Sequence, residues 1–391
     1  MTFQREVAEW FSVNSPRGWQ DEVEKYSRSE LLAFNRRWLR LLNTKGFGAP
    51  HVPKEWGGGG YSAEEQIIIY REWARSRAPS LGGYDINLFH VPGTLLRAGT
   101  RAQQEKYLRE AIDGVLWCQA FSEPDAGSDL ASLRTMAVRD GDYYRINGQK
   151  IWSSHAHEAK YGLLLARTDP DAPKHHGISY FILDMSAPGL EIRRIRQANG
   201  QAEFCELFLD EVKIPVEDRI GDENEGWTVA QRTLSVERGI LALGAIEHIN
   251  AGVDTLDDLV ILQSGDFTGE RLMLEGEAVV TDFAARSFAV RSAALDLISM
   301  MQLPGSPDVL SSAVKVASTE MLQELTDYAS LIEGAGGLVE PHLETQRSPL
   351  SGHWLIDWLQ SWGRTISAGT NEIQRNIISE RLLGLPREAR G

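Results

Sequence analysis

The sequence predicts an α+β chain of several domains, helical at both ends and β-rich in the middle. Three observations carry this. Residues 1 to about 115 show helical periodicity, as in "SRSELLAFNRRWLRLLNTKGF" and "SAEEQIIIYREWARSRA". Residues 116 to about 220 change to short segments rich in β-branched and aromatic residues, bounded by Gly, Asp or Pro. Helical periodicity then returns in long segments from about 221 to 391.

In the first segment the run "EWGGGGYS" separates two helical patterns, since consecutive glycines carry too much backbone entropy to sit inside a helix. In the second, "DYYRINGQKIWSS", "YGLLLART", "GISYFILDM" and "EFCELFLDEVKI" read as strands, and "INGQK" reads as a tight hairpin turn because Asn-Gly suits the left-handed central positions. Gln119 to Ser128 read as a strand leaving into a turn with Pro124 and Gly127. Near the C-terminus "SAGTNEIQR" reads as a loop leading directly into a helix.

Bulk properties narrow the function classes. The chain has 391 residues, enough for sizeable cores, and is 42% hydrophobic and 24% charged, an ordinary globular composition. Its net charge of −15 disfavours nucleic acid and anionic membranes as partners. Two cysteines, Cys118 and Cys205, fit a reducing compartment. No apolar run approaches the ~18 residues of a membrane span, and the N-terminus "MTFQREVAEWF" has no signal-peptide core, so a cytoplasmic location is expected.

The stretches "CQAFSEPDAGSDLASLRT" and, about twenty residues later, "INGQKIWSSHA", with "GTRAQQEKYL" before them and "AGTNEIQRNIISERLLGLP" at the end, resemble the acyl-CoA dehydrogenase superfamily over nearly the whole chain. The resemblance implies an N-terminal helical domain (1–115), a central β-barrel-like domain (116–220) and a C-terminal four-helix bundle (221–391). It also implies FAD held between the last two domains and completed by a neighbouring subunit, an acyl-CoA substrate and electron-transfer flavoprotein as the acceptor.

Carried onto this sequence, the family's flavin contacts fall on Gln119, Phe121, Ser122, Gly127, Ser128, Trp152 and Ser154, with Thr370 and Glu372 toward the rest of the cofactor. The acyl-CoA is expected along Ser128, Ser235, Arg238 and Gly369. On residue type alone the plainer readings are a core aromatic at Trp152, a simple turn at "SEPDAGSD" and an ion-pair partner at Arg238. The paired stretches at family spacing favour the flavin reading.

The reaction takes a proton from the α-carbon of a thioester while hydride leaves the β-carbon, so a base is needed beside the α-carbon. In the commonest relatives a Glu immediately before the loop's Gly-Thr supplies it; here that residue is Ala368, whose backbone N–H alone is left to polarise the thioester carbonyl. In other relatives the base lies on the first helix of the C-terminal domain. Glu237, in "TLSVERGILALGAIEHI", falls there, on a stripe with Ala230, Leu234, Leu241 and Ala245. A buried carboxylate of this kind has its pKa raised toward that of a general base; a structural salt bridge is the other reading.

The chain departs from the family at the groups lent to a neighbour's adenosine diphosphate. Ser264, Thr268 and Glu275 stand for the arginine, glycine and glutamine of one segment, though Phe267 is kept, and Leu331 and Ala335 interrupt the glutamine- and glycine-rich second segment. A pyrophosphate wants cationic and N–H donors. The pattern resembles subunits of heteromeric, α2β2 bacterial enzymes that act on steroid side-chain thioesters, where a paralogous subunit completes the site. A non-catalytic partner subunit and a flavin-dependent monooxygenase on the same fold are the alternatives.

Overall fold

The computed structural model describes residues 2–23, 25–236, 242–263, 269–301, 310–335 and 353–386. Helices α1 (Phe3–Asn14), α2 (Trp19–Val23), α3 (Arg28–Asn43), α4 (Ala63–Arg75), α5 (Val91–Ala98) and α6 (Arg101–Ile112) come first. Strands β1 (Trp117–Ala120), β2 (Met136–Asp140), β3 (Tyr143–Ser154), β4 (Tyr161–Arg167), β5 (Ile178–Asp184), β6 (Leu190–Ile195), β7 (Phe204–Pro215) and β8 (Arg219–Ile220) follow. Then come α7 (Gly226–Val236), α8 (Ala242–Gln263), α9 (Gly269–Met301), α10 (Leu310–Glu333), α11 (Trp354–Ile366) and α12 (Asn371–Ile377). The expected order of helical, β and helical segments is therefore found.

Short-range chemistry sets several boundaries. Ser62 and Glu65 form a reciprocal capping box at the start of α4, immediately after the glycine run, and Thr100 and Gln103 do the same for α6. The Gln103 side chain also donates to the carbonyls of Glu217 at 2.7 Å and Arg219 at 2.8 Å, so this cap ties α6 to the end of the sheet.

The chain forms two compact units, one of Met1–Leu31, Ser62–Ser80 and Glu237–Gly391, the other of Leu32–Tyr61 and Leu81–Val236. The second holds an eight-stranded sheet in the order β6-β7-β3-β2-β4-β5-β8, with β1 paired in parallel to β4. Its core is built from inward residues of alternate positions: Tyr144 and Ile146 of β3, Leu164 and Ala166 of β4, Phe181 and Leu183 of β5, and Leu207 and Leu209 of β7.

The expected turn at "INGQK" is not one. β3 runs through Ile146–Lys150, and the hairpin closes earlier, where Gly141 and Asp142 join Asp140 to Tyr143. Within this stretch β3 carries a register shift against β7 between Ile146 and Gly148. A Cβ at Gly148 would lie 2.4 Å from Thr135 Oγ1 and 2.7 Å from its Cα. The glycine is there for close approach of the neighbouring strand, and the Asn-Gly pair marks a bulge instead of a reversal.

In the first unit α8, α9, α10 and α11 share a core. Ile249, Val253, Leu256 and Val260 recur on α8 at spacings of four and three, the stripe of a bundle helix, and meet Phe283 of α9, Met321, Leu325 and Ala329 of α10, and Trp354 of α11. α11 also carries Trp358, Trp362 and Ile366 one turn apart; Trp362 and Ile366 are 54% and 64% exposed.

Leu164 is wholly buried in the sheet core. Leu164→Ala is expected to lower unfolding free energy by ~2–5 kcal/mol, the usual cost of a lost leucine side chain plus a cavity, as measured by denaturant unfolding with an unchanged m-value.

Candidate functional site

The site in the sheet unit begins where β1 ends. Gln119 lies within β1, and the chain then turns through Phe121–Ser128, closed by reciprocal backbone bonds between Glu123 and Ala126 at 3.1 and 3.0 Å. Phe121 is buried with its ring edge-on to Tyr180 at 5.5 Å; Ser122 is half-buried; Gly127 and Ser128 are exposed. A Cβ built on Gly127 meets nothing within 4 Å. Among the described residues nothing therefore calls for glycine at that position, and the backbone there is open to approach.

β3 supplies the other wall. Its pairing with β7 is irregular between Lys150 and Ser153, which takes Ile151 and Trp152 out of the ladder. Trp152 sits at φ +62° and is 55% exposed, its ring edge-on to Phe204 at 6.0 Å. A tryptophan in left-handed backbone with an open face is an unusual arrangement for a core aromatic. Ser153 is buried, Ser154 half-buried, and His155 follows at φ +56° within 3.8 Å of both Glu158 and Glu203.

The two walls are joined by a buried ion pair. Lys150 is fully buried, and its Nζ donates to the Glu123 carboxylate at 2.8 Å and to the Phe121 carbonyl at 3.0 Å. Glu123 also accepts from the backbone N–H of Arg134 at 2.7 Å and of Thr135 at 2.9 Å. Burial pushes the Lys150 ammonium down to about 8, with Glu123 holding it up against a larger fall. For Glu123, burial alone would raise the pKa, but the charge of Lys150 and these bonds outweigh it and hold the carboxyl below its ordinary value. The Ser122 carbonyl accepts from Ile151 N at 2.9 Å, a further tie between the walls.

In the bundle unit the loop after α11 has a defined shape. Ala368 and Gly369 take φ of +56° and +84°, and the Gln374 side chain donates to the Ala368 carbonyl at 2.9 Å and to that of Gly369 at 3.4 Å. Thr370 caps α12 by accepting from Ile373 N at 3.3 Å. Buried Asn371 accepts from Lys315 Nζ at 2.6 Å and donates to Glu320 at 3.1 Å. Ala368 is exposed, as is Glu372. A hydrogen bond from its own backbone N–H, and then one from the Thr370 hydroxyl, lower the pKa of Glu372.

Glu237 and Arg238 lie outside the described residues, as do Ser264, Phe267 and Thr268; Ser235 lies in the last turn of α7. Glu275 is exposed on α9, and Leu331 is 73% exposed on α10. Sequence reasoning named the residues around Lys150 and Glu123 and passed over the pair. The signal was a lysine in one motif, INGQKIWSS, and a glutamate in the other, SEPDAGSD, opposite charges that the sheet could bring together.

Family models for the acyl-CoA dehydrogenase N-terminal, middle and C-terminal domains match residues 5–115, 118–212 and 224–383. The chain belongs to the acyl-CoA dehydrogenase family of enzymes. It is 38% identical over 358 residues to the acyl-CoA dehydrogenase FadE34 of Mycobacterium tuberculosis, covering 90% of this chain but 46% of that longer protein. It is 35% identical over 366 residues to the acyl-CoA dehydrogenase IpdE1 of the same organism, covering 91% and 89% of the two chains.

Among solved structures, the Tcur3481-Tcur3483 steroid ACAD superposes with a TM-score of 0.82 at 28% identity, over 98% of this chain and 97% of that one. The ChsE4-ChsE5 complex from Mycobacterium tuberculosis gives 0.77 at 30%, over 99% and 97%. Among the described residues no helix is long and apolar enough to cross a membrane, and no cluster of His, Cys, Asp and Glu has the arrangement of a metal site.

The family implies a flavin, and the residues present fit one. The open face of Trp152 offers apolar surface, and the unobstructed backbone at Gly127 offers close approach. Gly127→Ala is expected to leave the stability of the flavin-free chain unchanged or raised by up to ~1 kcal/mol, while weakening flavin binding several-fold in a fluorescence titration. Unchanged binding would show that the added methyl meets no cofactor.

Proposed function

We propose that this chain catalyses α,β-dehydrogenation of an acyl-CoA thioester, with Glu237 as the base that removes the α-proton, as the base-bearing subunit of a heteromeric enzyme. The observation that carries the reading is the loop at Ala368. Its left-handed backbone and its Gln374 clamp are intact, yet its side chain is a methyl group that cannot take a proton. The loop keeps a main chain suited to polarising a carbonyl, and the proton acceptor has to come from elsewhere.

Glu237 is the carboxylate that the family resemblance offers, and Arg238 and Ser235 beside it would face the substrate. Phe121, Ser122, Trp152, Ser154, Gln119, Gly127 and Ser128 would hold the isoalloxazine and the adjoining chain of FAD, with Thr370 and Glu372 serving its more distant part. Bound FAD would supply the hydride acceptor, and electron-transfer flavoprotein would reoxidise it. What this chain's own residues contribute is orientation of the thioester, exclusion of water and transfer of one proton to a carboxylate.

The heteromeric reading is supported by what α9 and α10 present. Exposed Leu331 and acidic Glu275 stand where cationic or amide donors to a neighbour's pyrophosphate would be needed. Exposed Trp362, Ile366, Leu382, Leu383 and Leu385 in the same unit are apolar surface of the kind that partners cover. A paralogous subunit with the missing donors would complete one FAD site per pair of chains. The names of the solved relatives, a steroid ACAD and a two-component complex, make a steroid-derived acyl-CoA the substrate class to test first.

Glu237→Gln keeps shape and removes basicity. It is expected to leave flavin content near normal and to slow anaerobic bleaching of the flavin by acyl-CoA by ~10²–10⁴-fold. Bleaching at the wild-type rate would place the base elsewhere, and no bleaching by the wild type with its partner would favour a scaffolding subunit. Expressed alone, the chain is expected to retain little FAD; co-expressed with an adjacent paralogue, it should carry about one FAD per heterodimer. A homo-oligomer with one tightly bound FAD per chain would exclude the heteromeric reading.

A further inference from the structure

Lys150 and Glu123 occupy the two motifs that carry the flavin resemblance, yet neither is among the expected cofactor contacts. Lys150 is 0% exposed and Glu123 8%. A charge that is so buried has to be compensated, and each is compensated by the other. Their remaining bonds are to main chain: Lys150 to the Phe121 carbonyl at 3.0 Å, Glu123 to the N–H groups of Arg134 and Thr135 at 2.7 and 2.9 Å. Every partner is part of the turn Phe121–Ser128 or of the chain on which that turn rests.

The peptide bond between Phe121 and Ser122 is trans and planar, so its C=O and N–H point in opposite directions. Lys150 draws the Phe121 carbonyl into the core, and the Ser122 N–H consequently faces the other way. The next carbonyl, of Ser122, is held by Ile151 N at 2.9 Å, one residue before Trp152. One lysine and its strand neighbour thus fix the polarity of the turn: acceptors inward, a donor outward. A donor at that place matches the oxygen- and nitrogen-rich edge of an isoalloxazine, which gains negative charge on reduction.

We infer that Lys150 and Glu123 are positioning residues for the cofactor, a buried ionic strut that turns the backbone donor at Ser122 toward the flavin and so strengthens flavin binding and stabilises its reduced form. The inference rests on the proposal that the chain binds FAD through Phe121, Ser122 and Trp152. Neither residue exchanges a proton with the substrate. They act through the main chain that they hold.

The test compares wild type with Lys150→Met and with the Lys150→Met/Glu123→Gln pair, each co-expressed with the partner subunit and checked for folding by circular dichroism and thermal unfolding. In the folded protein the dissociation constant for FAD is expected to rise about ten-fold or more. The flavin potential should become more negative by about 30 mV for each ten-fold loss of reduced-form stabilisation in a two-electron couple. A folded double variant with wild-type FAD affinity and wild-type potential would overturn the inference, since a merely structural pair replaced without loss of fold would move neither readout. If Lys150→Met does not fold, Glu123→Asp withdraws the carboxylate by one methylene and keeps every polar group; the same two measurements decide. Wild-type protein that binds no FAD with its partner present would overturn the cofactor reading itself and this inference with it.

Discussion

A lysine ammonium at 0% exposure constrains everything around it. Removing it from water costs several kcal/mol, and that cost is offset only while a carboxylate and a carbonyl stay within hydrogen-bond reach. Lys150 is fixed on β3, a strand held by β2 on one side and β7 on the other, so the turn after β1 has to come to the strand. The irregular pairing that follows Lys150 is where the strand releases Trp152 from the ladder. Order in the two motifs therefore has a common origin in one buried charge and the strand that carries it.

Much of the fold was legible because it rests on periodicity. The α8 stripe Ile249, Val253, Leu256 and Val260, and the short, almost continuously buried apolar runs of β4 and β5, are patterns that a linear reading detects. The hairpin misplaced at "INGQK" shows where such reading stops. Asn147-Gly148 has the chemistry of a turn, and only the approach of Thr135 from the neighbouring strand explains the glycine. That contact is tertiary, as is the strut between Glu123 and Lys150, 27 residues apart in sequence. Ala368, by contrast, stood out in the sequence because a single expected side chain was absent from an otherwise complete motif.

The loop at Ala368 and the proposed base at Glu237 divide a task that the commonest relatives assign to one residue and its own backbone. In this chain the loop's geometry is maintained by groups with no part in proton transfer: Gln374 on its carbonyls, Thr370 on the α12 N-terminus, Lys315 and Glu320 on Asn371. On that proposal, carbonyl polarisation and proton removal would reside on segments more than a hundred positions apart.

The depth of Lys150 has one more consequence. Thioesters are acylating agents, and an enzyme that handles acyl-CoA works among reagents that modify free amines. Lys106 and Lys160, with side chains 52% and 53% exposed, stand open to such adducts, and a change there would break only surface ion pairs, with Asp218 and Glu110. Lys150 has no solvent access, so an acyl donor has no path to its amine. An amine that joins both walls of the proposed site is thereby kept out of reach of the substrate class proposed for the chain.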